Sequence, residues 1–297
     1  MDHTKENSVR VWVLASRPKT LVGALIPVAI ATSLAYTDGV LNWIPALLCT
    51  VFACLMQISA NLINDLFDYR KGADKEDRIG PERALAQGWI SPKAMKAGIV
   101  IVMIAACIAG SFLLFYGGWW LIFVGIVCLI FAYLYTGGPY PLAYYGWGDL
   151  LVILFFGFVP VCGTYYVQAL HITPSVLVAS LISGLVIDTM LIANNYRDRE
   201  TDKASGKKTV IVRLGELFGR YFYLLAGVVA SLLCLYFLKD RYYAAALLPQ
   251  LYLIPHLLTW NKMVRIRNGK ELNVTFVETA RNMLLFGILV SAGLWLS

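Results

Sequence analysis

The sequence predicts an all-α, polytopic membrane protein, and three observations predict it. Of 297 residues, 59% are hydrophobic and 14% charged, with a mean hydropathy of +0.67; soluble domains carry about 45–50% apolar and about 25% charged residues. The apolar excess falls into blocks of the length that crosses a bilayer as a helix, about 17–25 residues. The basic residues cluster between alternate blocks. A β-barrel would instead show short alternating segments.

Nine blocks are expected, at about 20–37, 42–64, 95–116, 119–136, 147–167, 175–196, 221–238, 243–261 and 280–297. The first twenty residues are not expected to form a signal peptide, because they hold Asp2, Glu6, Arg10 and Arg17 and lack an apolar core followed by a small-residue cleavage site. One integral-membrane domain over residues 1–297 is expected. Of the 25 basic residues, all but Lys239 and Arg241 lie before block one, after block two, after block six or at the entry to block nine. Nine spans put those four groups on one side. The positive-inside rule makes that side cytoplasmic, with the N-terminus in and the C-terminus out. The net charge of +7 therefore reads as topology and attraction to the lipid bilayer. No surface for nucleic acid is indicated.

The six cysteines lie in apolar blocks without a Cys-x-x-Cys pair and read as small buried hydrophobes. His3, His171 and His256 are too scattered for a zinc site. Trp43, Trp119, Trp120, Trp147, Trp260 and Trp295 fall near block ends, as in an interfacial belt.

Two polar stretches break the pattern. In "NLINDLFDYRKGAD", residues 61–74, Asn61, Asp65 and Asp68 share a helix face at i, i+4 and i+7. In "NNYRDRETDKASGKKT", residues 194–209, Asn194, Asp198 and Asp202 do so at i, i+4 and i+8. One stretch ends block two and the other block six, so a parallel repeat of four helices plus four, with a ninth appended, would bring the acidic faces together. Facing carboxylates suit Mg²⁺, which takes one or two carboxylates plus substrate phosphates. Lys71, Arg78, Arg197, Lys207 and Lys208 flank the acids and suit a polyanion, the simplest being a diphosphate with a lipid tail. Either cluster alone would read as a solvated helix end; two at matching positions argue for a site. Asp188 lies inside block six, where an ionisable side chain is costly and usually lines a cavity. It shares a face with Asn195 and is expected to point into the same space.

These residues resemble the UbiA superfamily of intramembrane aromatic prenyltransferases, over nearly the whole chain. Asn64, Asp65 and Asp68 match its first motif, Asn-Asp-x-x-Asp-x-x-x-Asp, whose last position falls on Gly72, with Asp74 two residues on. Asp198 and Asp202 match its second motif, Asp-x-x-x-Asp, followed by "GKKT". "DYRKGADKEDRIGP" at 68–81, "SRPKT" at 16–20, "TGGPYPLAYYGWGD" at 136–149 and "GTYYVQ" at 163–168 are similar to the branch acting on 1,4-dihydroxy-2-naphthoate in menaquinone synthesis. That branch commonly has Glu where this chain has Asp149.

The resemblance implies Mg²⁺-dependent transfer from a polyprenyl diphosphate to the naphthoate, with loss of CO₂ and diphosphate, at the cytoplasmic side of a bacterial membrane. It implies Asp65, Asp68, Asp198 and Asp202 as metal ligands, Asn64, Asn195, Asp74, Lys71, Arg78, Arg197 and Lys207 around the diphosphate, and Tyr135, Tyr140, Tyr144 and Tyr165 as aromatic faces toward an allylic cation. Arg17 and Lys19 are the candidates for an acceptor carboxylate, and Asn61 and Asp188 for further substrate contacts. Two rivals stay open: another aromatic acceptor such as 4-hydroxybenzoate, and a secondary transporter, for which intramembrane Asp188 would be apt. Prenyl chain length and oligomeric state are not fixed by the sequence.

Overall fold

The computed structural model describes residues 8–72, 80 and 82–297. Among the described residues it is all-helical. The helices are α1 (Val9–Ser16), α2 (Pro18–Thr37), α3 (Trp43–Arg70), α4 (Pro92–Gly117) and α5 (Leu121–Leu134), then α6 (Gly148–Ala169), α7 (Pro174–Ala204), α8 (Val210–Asp240), α9 (243–266) and α10 (Lys270–Trp295). Each of the nine predicted apolar blocks falls on one of α2 to α10. Seven of those helices are long and apolar enough to cross a membrane. The exceptions are α5, 14 residues long, and α9, where a 3₁₀ turn at Leu248–Tyr252 containing Pro249 separates two α-helical pieces. Proline removes a backbone donor there and breaks the ladder. The short α1 was not among the apolar blocks and, at 8 residues, is too short to cross.

Local sequence fixes where the helices start. Asn42, Ser91, Thr173 and Thr209 cap α3, α4, α7 and α8, each side-chain oxygen accepting from a backbone N–H at 3.2–3.3 Å. Pro92 and Pro174 follow two of these caps, where the missing N–H costs nothing. α3 ends at Arg70, and Gly72 beyond it takes a left-handed φ of 65°, which glycine adopts without a Cβ clash. The fourth position of the first acidic motif is thus the turn that releases the chain from the helix.

α7 is the axis of the fold. In its most apolar window 72% of the residues are buried, against 22% in α4. It packs on α2, α6, α8 and α10, in a core that includes Ile30, Leu34, Val176, Ile182, Phe237 and Phe286. On the outside, Phe115, Phe123 and Ile101 are exposed, as befits a surface solvated by lipid. The six cysteines are unpaired; Cys49, Cys128 and Cys234 are buried as expected, whereas Cys107 is exposed.

The α6–α7 contact is close enough to involve backbone. A Cβ on Gly157 would lie 2.4 Å from Ser180 O, and one on Gly184 would lie 2.9 Å from Ile153 Cα. Small residues let membrane helices approach in this way. Gly157→Val is therefore expected to cost about 1–3 kcal/mol or more through overpacking. The check is thermal unfolding in detergent; an unchanged Tm would mean that the two backbones do not touch.

Candidate active site

The acidic-motif ends of α3 and α7 border one cavity of about 1260 Å³, walled also by α2, α4, α5 and α6. Asn61, Asn64, Asp65 and Asp68 line it from α3, and Asn194, Asn195, Arg197, Asp198 and Asp202 from α7. Both helical faces read from residue spacing therefore open onto a single space. Arg17, Lys19, Arg83, Tyr135, Tyr144 and Lys207 also line it.

Basic side chains stand against Asp68, Asp198 and Asp202. Arg197 grips Asp198 with two hydrogen bonds of 2.7 Å, and donates also to Asn194 at 2.7 Å and to Asn273 on α10 at 3.0 Å. Its guanidinium lies over the Phe276 ring. Asp68 accepts from Arg83 at 3.2 Å and from the Tyr144 hydroxyl at 2.9 Å. Lys207 pairs with Asp202 at 3.3 Å and lies 4.8 Å from the centre of the Tyr144 ring, with Lys71 4.2 Å from it. Asp68, Tyr144, Lys207 and Asp202 thus form a continuous chain between the two motifs. The backbone repeats the link, since Lys208 N donates to Tyr144 O at 2.7 Å. Lys71 also donates to Thr136 O at 2.8 Å. Desolvation lowers the pKa of Lys71, with Lys207 adding to the effect and Asp68 opposing it.

At the opposite lip of the mouth, Arg17 separates α1 from α2 in a left-handed conformation, φ 52°. A non-glycine residue held there is uncommon and carries strain that surrounding structure must sustain. Asn61 braces this corner, donating to Ser16 O and Thr20 Oγ1, both at 2.9 Å. Gln57 donates to Thr20 Oγ1 at 3.1 Å.

Four expected residues lie elsewhere. Asp188 is fully buried but not at the cavity wall; α7 is enclosed on several sides, so sharing a face with Asn195 does not bring it to the same space. Tyr165 is buried near the far end of α6, donating to Asp38 at 2.5 Å. Tyr140 is exposed and stacked on Tyr145 at 3.8 Å. Lys71 is not on the wall and stands behind it, against the Tyr144 ring and Thr136 O. Asp74 and Arg78 lie outside the described residues. Arg83 and Thr136 were not foreseen. Arg83 is one of several basic residues in the segment after block two, and nothing in the local sequence marks it for Asp68.

The donor set fits a hard divalent cation. Asn64, Asp65, Asp68, Asp198 and Asp202 offer oxygen ligands to one cavity, and Asn64 Oδ1 is buried without a hydrogen-bond partner. No group of three acidic, His or Cys side chains among the described residues could hold a metal by itself. A cation here would complete its shell with oxygens from a bound ligand, as Mg²⁺ commonly does with phosphates.

Residues 24–289 match the UbiA prenyltransferase family. The chain is 36% identical to 1,4-dihydroxy-2-naphthoate octaprenyltransferase of Escherichia coli over 246 residues, covering 79% of this chain and 78% of that one. It is 33% identical to the enzyme of the same name from Mycobacterium leprae over 287 residues, 96% of each. Its fold is similar to that of a UbiA homolog from Archaeoglobus fulgidus solved with GPP and Mg²⁺, with a TM-score of 0.66 at 14% identity, covering 95% of this chain and 99% of that one.

Proposed function

The chain belongs to the UbiA prenyltransferase family, and from that premise we propose that it transfers a polyprenyl group from a polyprenyl diphosphate to 1,4-dihydroxy-2-naphthoate, releasing diphosphate and CO₂ and giving demethylmenaquinol. The observation that carries this reading is the chain Asp68–Tyr144–Lys207–Asp202, which joins the two acidic motifs across one cavity with an apolar lower half. The relatives of that name at 33–36% identity support the acceptor.

Asp65, Asp68, Asp198 and Asp202, with Asn64, would hold Mg²⁺ against the diphosphate. When bound, the cation neutralises negative charge building on the departing diphosphate. Arg197, Lys207 and Arg83 already stand beside the carboxylates, so an incoming diphosphate meets positive charge without a rearrangement of the helices. Preorganised charge of this kind is stronger in a site that excludes water. Tyr135 and Tyr144 line the cavity; the Tyr144 ring already attracts Lys71 and Lys207, which leaves Tyr135, of these two, as the aromatic side chain to stabilise an allylic cation. Arg17 and Lys19 would receive the acceptor's carboxylate. The test is a mass spectrum of the product formed by purified protein with Mg²⁺, a polyprenyl diphosphate and dihydroxynaphthoate or 4-hydroxybenzoate. Product from hydroxybenzoate alone would sink the proposed acceptor.

The charge asymmetry supports nine crossings, with α5 spanning despite its shortness and α9 despite its break, the N-terminus cytoplasmic and the acidic motifs on the cytoplasmic side of a bacterial membrane. With Gln87→Cys, Lys203→Cys and Ser297→Cys made singly, an impermeant thiol reagent outside intact cells is expected to label only the last. Labelling at Gln87→Cys but not Lys203→Cys would rule out this topology.

A further inference from the structure

The cavity is deeper than a diphosphate and an aromatic ring require. Its floor is formed by Cys49, Leu113, Leu121 and Val167, where α3, α4, α5 and α6 meet. From Asp65 at the mouth to Cys49 on the floor is sixteen residues of α3, a depth of about 24 Å at 1.5 Å per residue.

Two glycines stand part-way down, on facing walls. Gly125 of α5 and Gly163 of α6 both line the cavity, and at each a Cβ would meet no heavy atom within 4 Å. Neither has a positive φ, and neither makes the close backbone approach seen at Gly157. Glycine is the weakest helix former after proline, so backbone conformation gives no reason for it at either position. What both supply is room. On α5 the opening continues toward the mouth through Cys128 and Ala132 to Tyr135, which also line the cavity and recur at helical spacing. Ile122 and Ile126 border the cavity too and are exposed, so a chain passing the glycines can continue into the bilayer.

We propose that the prenyl tail runs down the protein interior between α5 and α6, and that the space left by Gly125 and Gly163 is what admits tails longer than two or three isoprene units. This rests on the prenyl-transfer reading above. Gly125 lies ten residues below Tyr135, about 15 Å along the helix. A trans isoprene unit, built from carbon–carbon bonds of about 1.5 Å, extends about 4–5 Å. Two or three units fit above the glycines; every longer tail passes between them.

The test compares geranyl diphosphate, with two units, and octaprenyl diphosphate, with eight, on wild type, Gly125→Ala, Gly163→Ala, Gly125→Leu, Gly163→Leu and the double Leu variant. The Ala variants are expected to keep kcat/KM within about 2-fold for both substrates and to raise Tm, since alanine favours helix and meets only space. The Leu variants are expected to keep geranyl transfer within about 3-fold and to lose octaprenyl transfer about 10-fold or more, the double variant most. The Tm shift that octaprenyl diphosphate gives wild type should shrink in parallel, while the geranyl shift persists. Octaprenyl transfer retained by the double Leu variant would mean that the tail leaves sideways above the glycines and would overturn the proposal; so would equal losses at both lengths. A wild-type protein that neither turns over nor is stabilised by either diphosphate overturns the prenyl-transfer reading itself.

Discussion

Asp65→Asn and Asp198→Asn are each expected to lower kcat by about 10²–10³-fold, the scale of removing one preorganised electrostatic stabiliser. Both changes keep the shape of the side chain and delete its charge. Asp65 is 2% exposed at the head of the cavity, so no rearrangement of solvent can replace its carboxylate. Asp198 has a second role, because the Arg197 guanidinium, itself 2% exposed, rests on it through two hydrogen bonds. Breaking a buried pair from one side costs about 3–5 kcal/mol. Asn194 and Asn273 still hold Arg197, so Asp198→Asn should lower Tm more than Asp65→Asn without unfolding the protein. Chelation of divalent cations should abolish turnover in the wild type, and added Mg²⁺ should restore it. Wild-type kcat in folded Asp198→Asn would break the pairing of the two motifs on which the site rests.

The site was legible from the sequence where a helix carried the information. Asn61, Asp65 and Asp68 on α3, and Asn194, Asp198 and Asp202 on α7, converge because residue spacing fixes direction on a helix. What the spacing could not supply is which face of a central helix meets which neighbour. Asp188 therefore points into packed protein although its register matches Asn195. Contacts made by loops were also hidden. Tyr144 reaches Asp68 across seventy-six residues, and Arg83 reaches the same carboxylate from a segment with no periodicity. Tyr165 lies away from the site for another reason: α6 runs away from the acidic mouth, so this tyrosine of the "GTYYVQ" stretch meets Asp38 at the far end. The apolar blocks fixed the helices, but not the 3₁₀ turn at Pro249, because local hydropathy does not register backbone geometry.

Arg17→Gln is expected to raise the KM for the ring acid about 10–100-fold, while the KM for the prenyl diphosphate changes little. The acceptor is an anion that must approach a second anion, so some group at the mouth has to receive its carboxylate. Arg17 lines the cavity where α1 breaks from α2, in a left-handed conformation that turns the chain at the lip. Asn61 and Gln57 brace that corner from α3 through Thr20 and Ser16. A lost hydrogen bond to a charged group is worth about 1.5–3 kcal/mol, which sets the size of the KM change. Lys19 is exposed at the same lip, where solvent and salt screen its charge, and Lys19→Gln should cost less. Arg17→Lys keeps the charge but not the planar fork, and should recover only part of the loss. A rise in KM for one substrate alone marks lost ground-state binding of that substrate; equal rises for both would assign Arg17 to the lip's structure instead. The same carboxylate leaves in the reaction, so carboxyl-labelled dihydroxynaphthoate should release one labelled CO₂ per prenylated product. Label retained in the product would exclude decarboxylating transfer and favour an acceptor that keeps its acid group, as hydroxybenzoate does.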